Sequence, residues 1–542
     1  MSDRAAEYIK RFQRADEKRA NWKSTWQKIG DYGYTLRGDI QTERFDGTPR
    51  HTLVYDGTME ESSNILLAGL FSHMTSPYMP WFKMVPVNQE LMDDEEAMLW
   101  MQDSEERMYR MFSRCNFYNA IAMLYGDLIN INHGIMFIGE NKNEREIVFT
   151  NISPRDCPIF ENNNHKIDTI MRKIKYTARQ AYQEWGEKCG PEVMKVLNDK
   201  PDQIFDFMHV IEPRKDYSRW KKNSLNLPFA SVYLSVKDRE IIDEGGYPEF
   251  PVVAPRWSTY TDDVYGSCPS ISALNDVKTL NKAMELLIMV GEKQLNPPLQ
   301  LTPGFKDRIK TMPGGINIKA RKDDEIKAVS DTGKIEITDK LIERLQDSVR
   351  KKYFVDVFLM LAQRDQRMTA YEVSQRENEG MMMLGPTLGR LTDECLSPLV
   401  YRCWGLMERG GYFLPPPPSI MDEELEVEYL SPLARAQKAV QATSIDRLVA
   451  FMAPLAQLYP EISDNLDPDK AIRVYGDVFG VPKTVMRGVD AIEKMRASRA
   501  KMNEQEVMRQ QMLEATQGLK NIGEADRAAT GDKSVLAQLM GQ

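Results

Sequence analysis

Pro269-Ser-Ile-Ser-Ala-Leu274-Asn-Asp-Val277-Lys-Thr-Leu280-Asn-Lys-Ala-Met284-Glu-Leu-Leu287-Ile-Met-Val-Gly291 repeats its apolar residues three and four positions apart, the recurrence of one helical face. Pro251, Pro255 and Cys268-Pro269 mark a boundary before it, and the stripe predicts a helix of about 24 residues. A second run begins near Thr338-Asp339, with Ile342, Leu345, Val349, Tyr353, Val357 and Met360 on one face. Between the two, Asn296-Pro-Pro298, Pro303-Gly304, Pro313-Gly-Gly315 and Asp331-Thr-Gly333 alternate with short β-like runs at 299–301, 316–319 and 335–337. A structureless loop of about 40 residues is anomalous in a compact domain. The expectation is a small β-containing subdomain carried on a two-helix stalk.

Outward from the stalk toward the N-terminus, Tyr8, Ile9, Phe12, Trp22, Trp26 and Ile29 predict an amphipathic helix at an edge or interface. Ile65, Leu66, Leu70 and Phe71 predict a helix over 58–74, ended by Pro77 and Pro80. Two more helices are expected near 94–113 and 117–130. From Gly134 the period changes. Runs at 135–138 and 147–150, separated by Asn141-Lys-Asn143, read as a hairpin. A β-rich stretch with one helical insertion near 177–185 continues through 207–211 and 230–236. Helices beside a meander make this part α+β and the chain multi-domain. Beyond the stalk, Thr369-x-x-Glu372 is a capping box, a helix is expected over 387–409, and four prolines at 415–418 form a stiff linker. The remainder is mostly helical in composition and loses its aromatic residues after Phe479. Past about residue 500 the composition suggests exposed helix fading into disorder.

The chain has 542 residues, well beyond the ~250–300 at which one core stops growing. Its 42% hydrophobic and 28% charged residues are a folded balance. The longest apolar run, around Tyr353 to Ala362, is interrupted by Asp356 and falls short of the ~18 residues of a membrane span. The charged N-terminus lacks the apolar core of a secretory signal, so a cytosolic site of synthesis is expected. A net charge of −9 argues against wholesale gripping of DNA. Six scattered cysteines without a C-x-x-C spacing read as reduced core thiols. The five histidines are far apart, no phosphate-binding G-x-x-x-x-G-K-[ST] occurs, and no G-x-S-x-G presents a nucleophile. The acidic clusters 93–96, 262–263 and 323–325 suit solvated loops and helix starts, or a hard cation such as Mg²⁺ or Ca²⁺. No catalytic residue, cofactor or metal site is nominated.

In this order the chain resembles the portal proteins, or head-to-tail connectors, of short-tailed bacteriophages. The resemblance spans nearly the whole chain. It rests on Tyr55-Asp-Gly-Thr58, Leu66-Leu-Ala-Gly-Leu70 and Trp81-Phe82; on Phe250-Pro-Val-Val-Ala-Pro-Arg-Trp257, Val264-Tyr-Gly266 and Asp276-Val-Lys-Thr-Leu-Asn281; and on Asn296-Pro-Pro298. Met368-Thr-Ala-Tyr-Glu-Val373, Leu384-Gly-Pro386, Arg390-Leu-x-x-Glu394 and Pro398-Leu-Val400 complete it. What it implies is a ring, usually of twelve subunits, at one capsid vertex through which double-stranded DNA enters and leaves. The implied parts are a wing (1–268), stem helices (269–295 and 338–360), a clip (296–337), a tunnel loop region (361–385), a wing return helix with the Pro-rich linker (386–429), a crown (430–500) and a partly disordered tail (501–542). The implied partners are further copies of the chain, DNA, the terminase large subunit, a tail adaptor protein, major capsid and scaffolding proteins, and internal core proteins. No membrane is involved. Assembly in the host bacterial cytoplasm and residence in the virion follow.

On that reading Arg364, Arg367 and Arg376 are candidates to touch DNA phosphates in the channel, or to pair with Asp365, Glu372 or Glu377. Met381, Met382 and Met383 suit an adaptable apolar collar against DNA or a neighbour, or packing within the subunit. Lys306, Arg308, Lys310, Lys319, Arg321 and Lys322 form a basic cluster in the insert that suits an acidic docking partner or DNA, or a soluble loop surface. The rival readings are another ring-forming head-tail adaptor and a DNA-packaging enzyme, either an ATPase, against which the missing phosphate loop counts, or a nuclease.

Overall fold

A computed structural model describes the chain except residues 1, 36–38, 43–46, 49–53, 89–90, 92–93, 142–145, 219–222, 261–262, 302–308, 310–322, 324, 329–334, 363–382, 422, 431–444, 453, 456–458, 460–465, 480–488 and 531–542. It divides into two units, Met1–Val87 with Trp100–Gln437, and Asn88–Leu99 with Lys438–Gln542.

The first unit opens with α1 (Ser2–Lys18) and α2 (Ala20–Tyr32), two helices where one amphipathic run was expected. The break falls at Arg19, which is 1% exposed. Its guanidinium donates to Pro154 O at 2.6 Å, to Arg155 O, and to Asp16 at 2.9 Å, so a buried charge is satisfied where the two helices part. α3 (Thr58–Met74) leads to strand β1 (Phe82–Pro86). α4 (Glu95–Arg114) and α5 (Phe117–Ile131) follow, close to their expected bounds. Trp81, Phe82, Phe112, Phe117, Leu66, Leu70 and Leu124 meet in the main core.

β2 (Met136–Asn141) and β3 (Glu146–Asn151) form the expected hairpin. Strands β4 (Ile159–Glu161) and β5 (Ile167–Thr177) come next. α6 (Ala178–Trp185) is started by a capping box in which Thr177 and Gln180 exchange bonds, and α7 (Pro191–Val196) follows it. Three further strands, β6 (Ile204–Pro213), β7 (Phe229–Ser235) and β8 (Glu240–Tyr247), complete an antiparallel five-stranded meander in the order β4-β5-β6-β7-β8. The short β9 (Val252–Val253) joins β2 and β3 in a second sheet. Helices packed beside these sheets give the α+β architecture read from the sequence.

The long helix α8 (Pro269–Leu295) is followed by β10 (Leu299–Leu301), which pairs with β11 (Ile326–Ala328). α9 (Ile335–Lys352) and α10 (Val355–Ala362) complete the stalk region. The strand expected at 335–337 is instead the first turn of α9. The stripe over 338–360 is not one helix. It breaks at Phe354, whose φ of +56° lies in the left-handed region. The helix expected over 387–409 is built as α11 (Gly385–Leu391), a π turn at Thr392–Leu396, and α12 (Ser397–Arg409). Pro417 is buried and β12 (Leu425–Tyr429) pairs antiparallel with β1, so the proline run is a tie within the first unit rather than a linker out of it.

In the second unit α13 (Pro468–Phe479) is followed by α14 (Val489–Thr530), a helix of 42 residues. The side chains at 500–517 are exposed, and the backbone remains helical to Thr530. No helix among the described residues is long and apolar enough to cross a membrane.

Candidate functional site

The two stalk helices run antiparallel. Asp276 of α8 accepts from Ser348 Oγ at 2.7 Å and Lys352 Nζ at 2.6 Å on α9. Farther along, Leu280 and Ala283 pack with Ile342, flanked by Met284, Leu287 and Leu345. The apolar stripe read from the sequence is thus the seam between the helices.

The sequence tags that carry the resemblance meet at the root of this stalk. Asn281 Oδ1 accepts the Tyr55 amide at 2.7 Å and the Asp56 amide at 3.2 Å. Asp56 Oδ1 accepts the Thr58 amide that starts α3, at 2.9 Å, while its Oδ2 accepts Gln346 Nε2 of α9 at 2.8 Å. One tetrapeptide therefore ties three helices. Deeper in, Ser270 Oγ lies 2.6 Å from the Tyr353 hydroxyl and 2.8 Å from Asn130 Oδ1, and Asn130 Nδ2 donates to Ser63 Oγ at 2.8 Å. Burial holds the Tyr353 hydroxyl protonated far above its ordinary range, as a donor in a closed network should be.

Arg256 is the charged centre of a second joint. It is 2% exposed, with its Nη2 2.9 Å from Glu394 Oε1 and its Nη1 2.9 Å from Glu161 Oε2. It also donates to His165 O at 2.8 Å. Arg390 meets Glu394 at 3.2 Å. Burial opposes the Arg256 charge and the two carboxylates more than offset it, leaving its pKa above the ordinary value. Thus Pro255-Arg256-Trp257 and Arg390-Leu-x-x-Glu394 are one contact read in two places, and the π turn at Thr392–Leu396 carries Glu394 into it.

Two glycines of the tags are required by close approach. A Cβ on Gly266 would lie 1.5 Å from Ser258 O, and one on Gly69 would lie 2.3 Å from the Phe358 ring. The second contact seats α10 on α3, with His73 edge-on to Phe358 at 5.8 Å.

Of the channel candidates, Arg364, Arg367, Arg376, Met381 and Met382 lie outside the described residues. Met383 is described, and its side chain is 67% exposed just before α11. Lys306, Arg308, Lys310, Lys319, Arg321 and Lys322 also lie outside the described residues, as does the capping box at Thr369 and Glu372. All six cysteines are free, and burial pushes Cys157 and Cys268 up to about 12, a range in which a thiol is not a nucleophile. Among the described residues no group of three or more His, Cys, Asp or Glu is gathered for a metal ion. Asp94 accepts the Glu96 amide at the start of α4, and Asp263 accepts Trp22 Nε1 at 3.0 Å, which gives members of two acidic clusters structural roles.

Periodicity concealed one feature of the stalk. Beyond Ala283, α8 is apolar on more faces than α9 covers: Leu286, Ile288 and Met289 are each near half exposed, and Leu295 is 90% exposed. A helix that is apolar on several sides is ordinarily enclosed on several sides.

The bacteriophage head to tail connecting proteins match this chain over residues 5–486. A portal protein of Salmonella phage epsilon15 is 29% identical over 550 aligned positions, covering 98% of this chain and 97% of its own. A probable portal protein of Bordetella phage BPP-1 is 28% identical, covering 95% of each. Among solved structures, a chain from the virion of a native gene transfer agent particle aligns at a TM-score of 0.37 with 10% identity, over 79% of this chain and 90% of that one, a likeness too distant to carry an argument. With the match running from α1 through the stalk and into the second unit, the chain belongs to the family of bacteriophage head to tail connecting proteins.

Proposed function

We propose that this connector is the portal of its phage: a closed ring of twelve copies at one capsid vertex, whose channel passes double-stranded DNA inward at packaging and outward at ejection. It docks the terminase large subunit and later the tail adaptor protein through the insert between α8 and α9. It is built in the host cytoplasm alongside capsid and scaffolding proteins, with internal core proteins at its inner end, and it performs no catalysis of its own. The portal names of the two phage relatives support this. The observation that carries it is the outer half of α8. Full burial of a Leu, Ile or Met side chain is worth about 1.5–3 kcal/mol, and α9 leaves Leu286, Ile288 and Met289 half uncovered and Leu295 almost wholly so. Neighbouring stalks in a ring would cover them. The negative chain charge suits a conduit, because a ring of like copies repels phosphate and lets DNA slide. Electron microscopy and native mass spectrometry of the purified chain test the reading. Closed rings with an axial hole are expected, together with no ATP hydrolysis above background in the presence of Mg²⁺ and DNA. Monomers at every concentration and salt, or a turnover abolished by a point mutation in this chain, would refute it.

A further inference from the structure

The antiparallel stalk helices form a pair with two broad faces, one on each side of their seam, and hydrogen bonds tell the faces apart. Asn281 of α8 and Gln346 of α9 both hold Tyr55-Asp56, so they share the first face. Ile288 and Leu295 follow Asn281 by seven and fourteen residues, close to whole turns, and stay on that face. Leu286 follows Asn281 by five residues, about 140° round α8, and Leu341 precedes Gln346 by five, about 140° round α9. Both therefore emerge on the second face, where Ser348, two turns from Leu341, bonds Asp276. Leu286, Ile288 and Leu341 are each near half exposed, and Leu295 is almost wholly so.

The heights also agree. Asp276 bonds Ser348 and Lys352, and Leu280 and Ala283 pack on Ile342. This register sets Leu286 level with Lys340, the neighbour of Leu341, and Ile288 about 3 Å farther along at 1.5 Å per residue. Each side of the stalk thus carries an uncovered apolar patch at one height. The exposed charges divide between the same faces: Glu292, Asp339 and Glu343 lean toward the side of Ile288, and Lys293, Arg344 and Lys351 toward the side of Leu286 and Leu341. Lys278 and Lys340 point straight away from the seam, while Lys282 and Arg350 are held by Glu285 and Asp347 of their own helices.

We propose that in the ring the Leu286–Leu341 face of each stalk packs on the Ile288 face of the next, so that the contact runs in one direction round the ring. The proposal rests on the ring reading above. A two-fold pair buries one patch of each copy against its like and leaves the other in water, whereas a head-to-tail contact buries both patches of every copy. Charge favours the same choice, because like faces bring like charges together and unlike faces bring Arg344 toward carboxylates.

The test uses the full chain and cross-linking. Ile288→Cys with Leu341→Cys in one chain, treated with a short bis-maleimide, should give a denaturing-gel ladder that climbs from dimer to the full ring. Either substitution alone should give no dimer above the parent, whose own cysteines are buried or half-buried, and a mixture of the two single variants should stop at dimer. Leu286→Cys replaces Leu341→Cys if that variant does not fold. Independently, Leu286→Asp with Leu341→Asp should lower the ring fraction at least tenfold in native mass spectrometry, at a concentration where the parent is mostly ring, while thermal unfolding shows the fold intact. Dimers from a single-cysteine variant, or rings in which the double variant gives no ladder, overturn the contact while leaving the ring. A parent chain that stays monomeric overturns the ring reading, and the contact with it.

Discussion

Arg256 holds a full positive charge at 2% exposure because Glu161 and Glu394 reach it from two directions. Removing one member of such a buried group leaves the others desolvated and unpaired, which costs about 3–5 kcal/mol. Arg256→Ala is therefore expected to lower the unfolding free energy measured in urea by that amount, and a change below about 1 kcal/mol would show that Arg390 and water satisfy the carboxylates alone. Two buried histidines make the fold sensitive to acid. Arg172 can only donate, so His209 Nδ1 accepts its Nε–H at 3.0 Å, and the histidine proton sits on Nε2, facing Ser231 Oγ at 2.9 Å. Burial, and after it the Arg172 charge, drives His209 well below its ordinary pKa; burial and the Arg19 charge bring His133 down to about 3. Both are neutral when folded, while in the unfolded chain each takes up a proton below about pH 6.5. Stability should thus be fully present above pH 6.5 and fall as pH drops beneath it, by about 1.4 kcal/mol per unit for each histidine. Urea unfolding at intervals from pH 7.5 to 5 measures this, and His209→Gln should make the slope shallower. An unchanged slope would mean that His209 is protonated in the fold.

At the level of elements, the contact between α3 and α10 depends on the missing side chain of Gly69. A methyl group there meets the Phe358 ring at 2.3 Å, and overpacking of this kind typically costs about 1–3 kcal/mol. Gly69→Ala should destabilise by that much, and adding Phe358→Leu should recover part of the loss, giving a coupling in a double-mutant cycle. Strictly additive effects would place the two residues apart. Much of the fold was legible in the sequence: the bounds of α3, α5 and α6 and the β2–β3 hairpin follow from periodicity and prolines. The break between α9 and α10 was not. Ile342, Leu345, Val349, Tyr353 and Val357 keep a helical spacing through it, and the pattern cannot register one residue at positive φ. What holds the bend is tertiary: Tyr353 is bonded to Ser270 on one side and Phe358 is seated on Gly69 on the other. The first turn of α9 misled for the opposite reason, since Ile335-Glu-Ile337 alternates like a strand and only the helix that follows decides its state. The tags of the resemblance were visible as residues, yet the bonds that join Arg256 to Glu394, or Asn281 to Tyr55 and Asp56, span far too much sequence for local spacing to report.

For the whole molecule the question that the proposed portal function raises is how a ring of net negative chains would retain DNA that it must also let slide. In sequence, the segment between α10 and α11 comes shortly after the joint at Phe354. Its sequence carries Arg364 and Arg367 just ahead of the Thr369 capping box. Arg364→Gln with Arg367→Gln removes two positive charges per copy without altering the α8–α9 seam. If these side chains meet phosphates as DNA passes, the variant should assemble rings and begin packaging, then release packaged DNA more readily, with retention less dependent on salt because fewer counterions are exchanged. If they pair only with Asp365 or Glu372, retention should hardly change, since exposed pairs contribute about 0–1 kcal/mol each. The two outcomes separate in one measurement, the fraction of particles that keep their DNA across a salt series. A variant that forms no rings at all would assign the segment to the contact between copies.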